Sequence, residues 1–255
     1  MLRRFREHAA KQDWFAVGVD VAIVVIGVFL GMQANNWNED RIERSEAREY
    51  RAQIIDNLRT NEADVAARAH YYRQVRAHAI AALNALKQPN APLGEPFLID
   101  AYQASQVWQR PFERTAYDEM QASGVARKIG DARTRAELSG YYVGARGFEA
   151  RTAEITPYRE LLRRSMDLDV QERIRANCDD IMRNLPGGAN AATLPDTCQL
   201  RLDPAVAASA AATLTAVPEM RENLTRLIVD IDQKMRLYDT TSRNVVRLRT
   251  DLENS

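Results

Sequence analysis

The run from Trp14 to Met32, WFAVGVDVAIVVIGVFLGM, is apolar throughout except for Asp20. As a helix it spans roughly 28 Å, close to the thickness of a bilayer's hydrocarbon core. A chain with such a segment is expected to organise itself around a membrane anchor. The competing reading is a cleaved signal peptide, since Arg3, Arg4 and Arg6 precede the apolar run as a charged leader would. The exit residues oppose cleavage. A cut after Ala34 leaves Met32 at the minus-three position and a cut after Gly31 leaves Phe29 there, both too large for that site. The segment therefore reads as a retained signal anchor, with 1–13 a cytoplasmic N-terminus, 14–34 the transmembrane helix and the remainder outside. Arg3, Arg4, Arg6 and Lys11 before the span, against no Lys or Arg from Gln33 to Asp40, favour this orientation, although Arg41, Arg44, Arg48 and Arg51 soon redress the count. Trp14 and Trp37 bracket the span at the depths that indole rings prefer.

The cysteines give an independent indication of compartment. Cys178 and Cys198 are the two in the chain, both far beyond the span, and Pro186-Gly187-Gly188 and Pro195 between them have the composition of a loop. A disulfide across that loop would restrict the unfolded chain by roughly 3 kcal/mol, and it would require an oxidising compartment. Two separate reduced thiols are the alternative. Zinc is a poorer one, because two cysteines without a nearby His lack the ligands it needs.

Beyond the span the pattern is helical. From Met32 to Gln88 there is neither glycine nor proline, and Ile54, Leu58, Val65, Tyr72, Val75, Ala79, Leu83 and Leu86 recur at spacings of three, four and seven. The spacing predicts that the membrane helix continues outward as a stalk over 35–88, with Asn35-Asn36 the one place where it could break. QPNAPLGEP, 88–96, is the first loop. A short helix follows near Phe97 to Val107, and another starts at Pro111 and stops at Ser123-Gly124. Asp131 and Thr156-Pro157 open two more, Asp203-Pro204 opens an alanine-rich one, and Pro218 opens the last. That last helix carries the stripe Met220, Leu224, Leu227, Ile231, Met235, Tyr238, Val245, Leu248 and Leu252. No alternating run is long enough for a sheet. The expected fold is all-α: an N-terminal transmembrane helix running into a stalk, and an antiparallel helical bundle over 89–255, with the first and last long helices packed against each other.

Chemistry is sparse. Lys plus Arg equals Asp plus Glu, so no nucleic-acid partner is implied, and 45% hydrophobic residues suit a packed core. His8, His70 and His78 offer no metal-ligand spacing, and no nucleophile, zinc, phosphate-loop or dinucleotide motif is present, so no catalytic residue, cofactor or metal is assigned. Tyr71-Tyr72 and Tyr141-Tyr142 read as core pairs with one ring outward. Asp20 is the costly residue in the span and calls for a partner. Val24, Gly27, Gly31 and Ala34 share its helical face, and Gly27 with Gly31 makes a GxxxG pair that admits a second helix. That face is read as a docking site for a partner helix or a second copy; a protonatable carboxyl and a solvated boundary residue are the alternatives. Asn35, Asn36 and Trp37 read as an interface anchor where lipid gives way to water, with Glu39 in solvent.

Asp20 followed by VVIGVFLGMQ and Asn35-Asn36-Trp37-Asn38-Glu39 resembles the signature of a family of bacterial single-pass membrane proteins defined by a domain of unknown function. AYDEMQASGVARKIGD and ELSGYY look like the same family's helix, Ser-Gly turn and paired tyrosines. Where that family usually has glutamate, this chain has Asp20. The resemblance implies an inner-membrane anchor with a helical periplasmic domain and brings no activity with it. The expected function is an interaction, scaffold or sensing module, with the bilayer and a second copy or partner membrane helix as its contacts. VDVAIVVIGVFLGM also resembles the acid-bearing helix of biopolymer-transport and motor-stator proteins, so a subunit of an ion-driven complex is the second reading. An enzyme is the third.

Overall fold

The computed structural model describes residues 14–88, 93–153, 155–185 and 190–254, with side chains from Gly18 onward. The expectations for 1–13, for the Trp14 side chain and for Pro186-Gly187-Gly188 lie outside the described residues. Helix α1 runs unbroken from Trp14 to Leu86, about 110 Å at 1.5 Å per residue. Asn35-Asn36 does not break it. The Asn35 amide turns along the helix and donates to Glu39 Oε1 at 2.7 Å, one turn on, so it satisfies itself without competing for the backbone. From Gly18 to Glu39 every side of α1 is exposed. Burial starts at Ala47 and follows Ile54, Leu58, Asn61, Val65, Arg68, Tyr72, Val75 and Ala79, so the upper part of the stalk is itself a wall of the bundle.

Helix α2 covers Glu95–Ala104 and α3 Thr115–Ser123. Gly124 at φ 81° ends α3 and leads into a 3₁₀ turn, Val125–Lys128, whose lysine reaches back to α1. Helix α4 is Ala132–Thr152, α5 Pro157–Ser165, α6 Leu168–Asn177, α7 Pro204–Thr215 and α8 Met220–Asn254. Short polar caps start four of these. Asp131, Thr156, Asp167 and Asp203 each accept a backbone N–H of the first turn.

Two starts differ from the sequence reading. Helix α3 begins at Thr115 rather than Pro111, because the Phe112 and Glu113 N–H groups bond sideways to Glu149 Oε1 and Asn61 Oδ1 instead of entering a helix. Helix α8 begins two residues after Pro218, once Glu219 has turned the chain at φ 62°. Helix α6 is an addition to the expected elements. So is the hairpin inside the cysteine loop, where β1 (Ile181–Asn184) pairs antiparallel with β2 (Asn190–Thr193), Ile181 opposite Thr193. Cys178 and Cys198 close it as a disulfide, with Cα atoms 5.4 Å apart.

Helices α1 and α8 pack antiparallel, as their stripes predict. Arg51 bonds the Leu252 carbonyl, Arg249 pairs with Glu62 at 3.0 Å, and Arg76 grips Asp232 through Nε at 2.5 Å and Nη2 at 3.1 Å. Between them lie two apolar clusters. The one nearer the N-terminal span gathers Ile54, Leu58, Tyr117, Met120, Leu138, Val245 and Leu248. The farther one gathers Val65, Tyr72, Val75, Leu98, Tyr158, Leu162, Ile231 and Tyr238.

Candidate functional sites on the long helix

The face predicted for helix docking is open. Asp20, Gly27 and Gly31 are exposed, and a Cβ built on either glycine would meet nothing within 4 Å. Because α1 has no joint, its rotational phase carries through to the bundle. At about 100° per residue, Asp20, Gly27 and Gly31 lie about 180° from the buried stripe of Ala47, Ile54 and Leu58. The face that carries Asp20, Gly27 and Gly31 therefore points away from the chain's own head. Trp37 stands 68% exposed, with the Arg41 guanidinium 5.8 Å from its ring centroid. Just above, Arg44 and Lys128 both hold Asp40. The hydrogen bond from Lys128 keeps the Asp40 carboxyl below the usual carboxylate range.

Where the two apolar clusters meet, α1 turns polar inside. Asn61, Asp64 and Arg68 are buried to within 2% of fully enclosed, and Arg68 pairs with Asp64 one turn away. The pair is incompletely satisfied: Asp64 Oδ1 and Arg68 Nε have no hydrogen-bond partner among the described residues, nor do the Tyr141 and Tyr142 hydroxyls. The Arg68 guanidinium lies 4.9 Å from the Phe112 ring centroid. Burial raises the Asp64 carboxyl above its ordinary range, against the pull of Arg68, and burial likewise pushes both tyrosine phenols up. The tyrosine pairs depart from the sequence reading. Tyr71 and Tyr72 are both fully buried, with the Tyr71 hydroxyl donating to Asp180 at 3.2 Å, and the Tyr141 and Tyr142 hydroxyls are both enclosed.

Side chains of α1 also stand in for a strand edge. Tyr72 meets the Trp108 backbone, Asn61 the Glu113 backbone and Asn57 the Ala116 N–H, so segment 108–116 lies strung along the helix. Gln74 does the same for β2's exit, donating to Leu194 O and accepting from Leu194 N, both at 3.0 Å. Sequence reasoning passes over these groups because Asn61, Asp64 and Arg68 interrupt an otherwise apolar heptad. That interruption, at the spacing of Leu58, Val65 and Tyr72, is the signal that could have found them.

His70 is exposed, while His78 is half-buried with Nδ1 2.7 Å from Asp100 Oδ1. Among the described residues no group of three His, Cys, Asp or Glu side chains is placed to hold a metal ion. No family model matches the chain, and no curated protein or solved structure matches it either.

Proposed function

We propose that this chain is a membrane-anchored rod carrying a helical head in the periplasm, working as an interaction module that self-associates through the Asp20, Gly27 and Gly31 face. The observation that carries the reading is the continuity of α1. A helix without a joint passes any rotation or tilt of its apolar end directly to the head, and the face with the acid and the glycines points away from that head, where a second copy would find it uncovered. The disulfide supports an oxidising compartment for the head. The likeness of the VVIG and NNWNE segments to single-pass inner-membrane proteins supports the same placement.

Crosslinking in native membranes tests this. Gly27→Leu and Gly31→Leu should weaken self-crosslinking severalfold by blocking close approach, and unchanged crosslinking would refute the packing claim. Asp20 is the sole ionisable residue between Trp14 and Met32, which supports the second reading, a subunit of an ion-driven complex. Asp20→Asn separates the two. An amide still hydrogen-bonds but cannot exchange a proton, so full complementation of a deletion strain by Asp20→Asn removes the ion-driven reading.

A further inference from the structure

A cleft opens on the side of the head between the junction of α4 with α5 and the middle of α8. It encloses about 450 Å³, within the range of small-molecule sites. Its cause is local. Helix α4 stops at Thr152, α5 restarts at Pro157, and the ends of both line the cleft opposite α8. Among the described residues the charged lining is Arg151 from α4 with Arg226, Asp230, Lys234 and Arg236 from α8.

On an exposed helix face, opposite charges one turn apart ordinarily neutralise each other. Here Arg226 and Asp230 form such a pair at 3.7 Å. Arg151 and Arg236 are both exposed and make no ion pair among the described residues. Lys234 is engaged elsewhere, with its Nζ donating to the Thr152 carbonyl at 3.3 Å and lying 4.4 Å from the Tyr72 ring centroid, and so closes the inner end. Past it, the space beside Tyr72 and Ile231 shrinks to about 20 Å³, room for little more than one water. A ligand must therefore sit at the mouth, against the guanidinium groups.

We infer that this cleft binds a small oxyanion solute, one bearing carboxylate or phosphate groups. Guanidinium forks match either group with paired N–H donors. Bilayer headgroups are not its source, since Tyr72 stands about 57 Å along α1 from Ala34. The inference does not depend on which side of the membrane the head occupies, so it and the self-association reading can fail separately.

The test is calorimetric titration of the full chain in detergent micelles with citrate and with inorganic phosphate, each against sodium chloride of equal ionic strength. Saturable binding of at least one probe is expected beyond the salt control. Arg151→Gln and Arg236→Gln should each weaken it at least tenfold, while Arg247→Gln, an exposed arginine of α8 outside the cleft, should leave it unchanged. All three positions are exposed, and an unaltered melting temperature without ligand confirms that the variants fold. Absence of saturable binding, or an equal loss in Arg247→Gln, overturns the inference. So does binding of a synthetic acidic peptide where neither probe binds, which would assign the cleft to a protein partner.

Discussion

Asn61 holds the main chain of Glu113 by both ends of its amide, Nδ2 donating to the Glu113 carbonyl and Oδ1 accepting from the Glu113 N–H, each at 2.7 Å. One side chain thus does for segment 108–116 what a neighbouring strand does for a sheet. Buried backbone groups need partners, and an orphaned pair costs about 1–3 kcal/mol each.

Asn61→Ala should accordingly destabilise the head by about 2–4 kcal/mol. The effect should appear as a lower urea midpoint with an unchanged denaturant slope. A shift corresponding to less than about 0.5 kcal/mol, the range of ordinary surface changes, would show that segment 108–116 is held by other contacts.

The neighbouring ion pair makes a different prediction. Asp64→Ala strands the enclosed Arg68 charge and should cost about 3–5 kcal/mol, whereas Asp64→Leu combined with Arg68→Met should cost much less, because the double change removes both desolvated charges. Equal losses in the single and double variants would mean that packing, not charge, sets the cost. The denaturation midpoints of the two variants decide it.

Glu113 gives a pH dependence with a definite sign. Hydrogen bonds from Thr115, with a smaller contribution from the Arg114 N–H, hold its carboxyl below the usual value of 4.5. A group whose folded pKa is depressed contributes stability above its unfolded value and loses it as pH falls through the folded one. Melting temperatures measured from pH 6 to pH 3 should therefore fall less steeply for Glu113→Gln than for the parent chain below about pH 4.5. Parallel curves would rule out this contribution.

Reduction should loosen the hairpin. The Cys178–Cys198 bond closes a separation of 20 residues, for which the loop-entropy relation gives about 3 kcal/mol. A thiol reagent should leave unreduced, denatured protein unlabelled and modify both cysteines after dithiothreitol treatment, with a lower melting temperature for the reduced form. Stoichiometric labelling without reductant would refute the bond.

Much of the architecture was legible because its causes are local. The stripes at Ile54 to Ala79 and Met220 to Leu252 record a helical period that any buried helix must show, and all but Met235 of the α8 stripe is buried. Asp131, Thr156 and Asp203 cap the helices they announce, since a short oxygen acceptor before a first turn needs no distant partner. The apolar span and the shared face of Asp20, Gly27 and Gly31 follow from spacing alone.

Other features depend on residues that sequence separation hides. Pro111 fails to start a helix because Glu149 and Asn61, 37 and 52 residues from the N–H groups they bind, compete for them. Tyr71 turns inward because Asp180, 109 residues on, accepts its hydroxyl. The strands Ile181–Asn184 and Asn190–Thr193 are too short to show a period, and they persist because the disulfide and Gln74 hold them against α1. Sequence alone determined the two long helices, most of the short ones and their apolar faces, because hydrophobic period and caps act within a turn or two. Only the tertiary structure decided where the polar groups of Asn61, Asp64, Arg68 and Gln74 would be satisfied, because a buried donor or acceptor takes its partner from whatever segment the packed fold brings within reach.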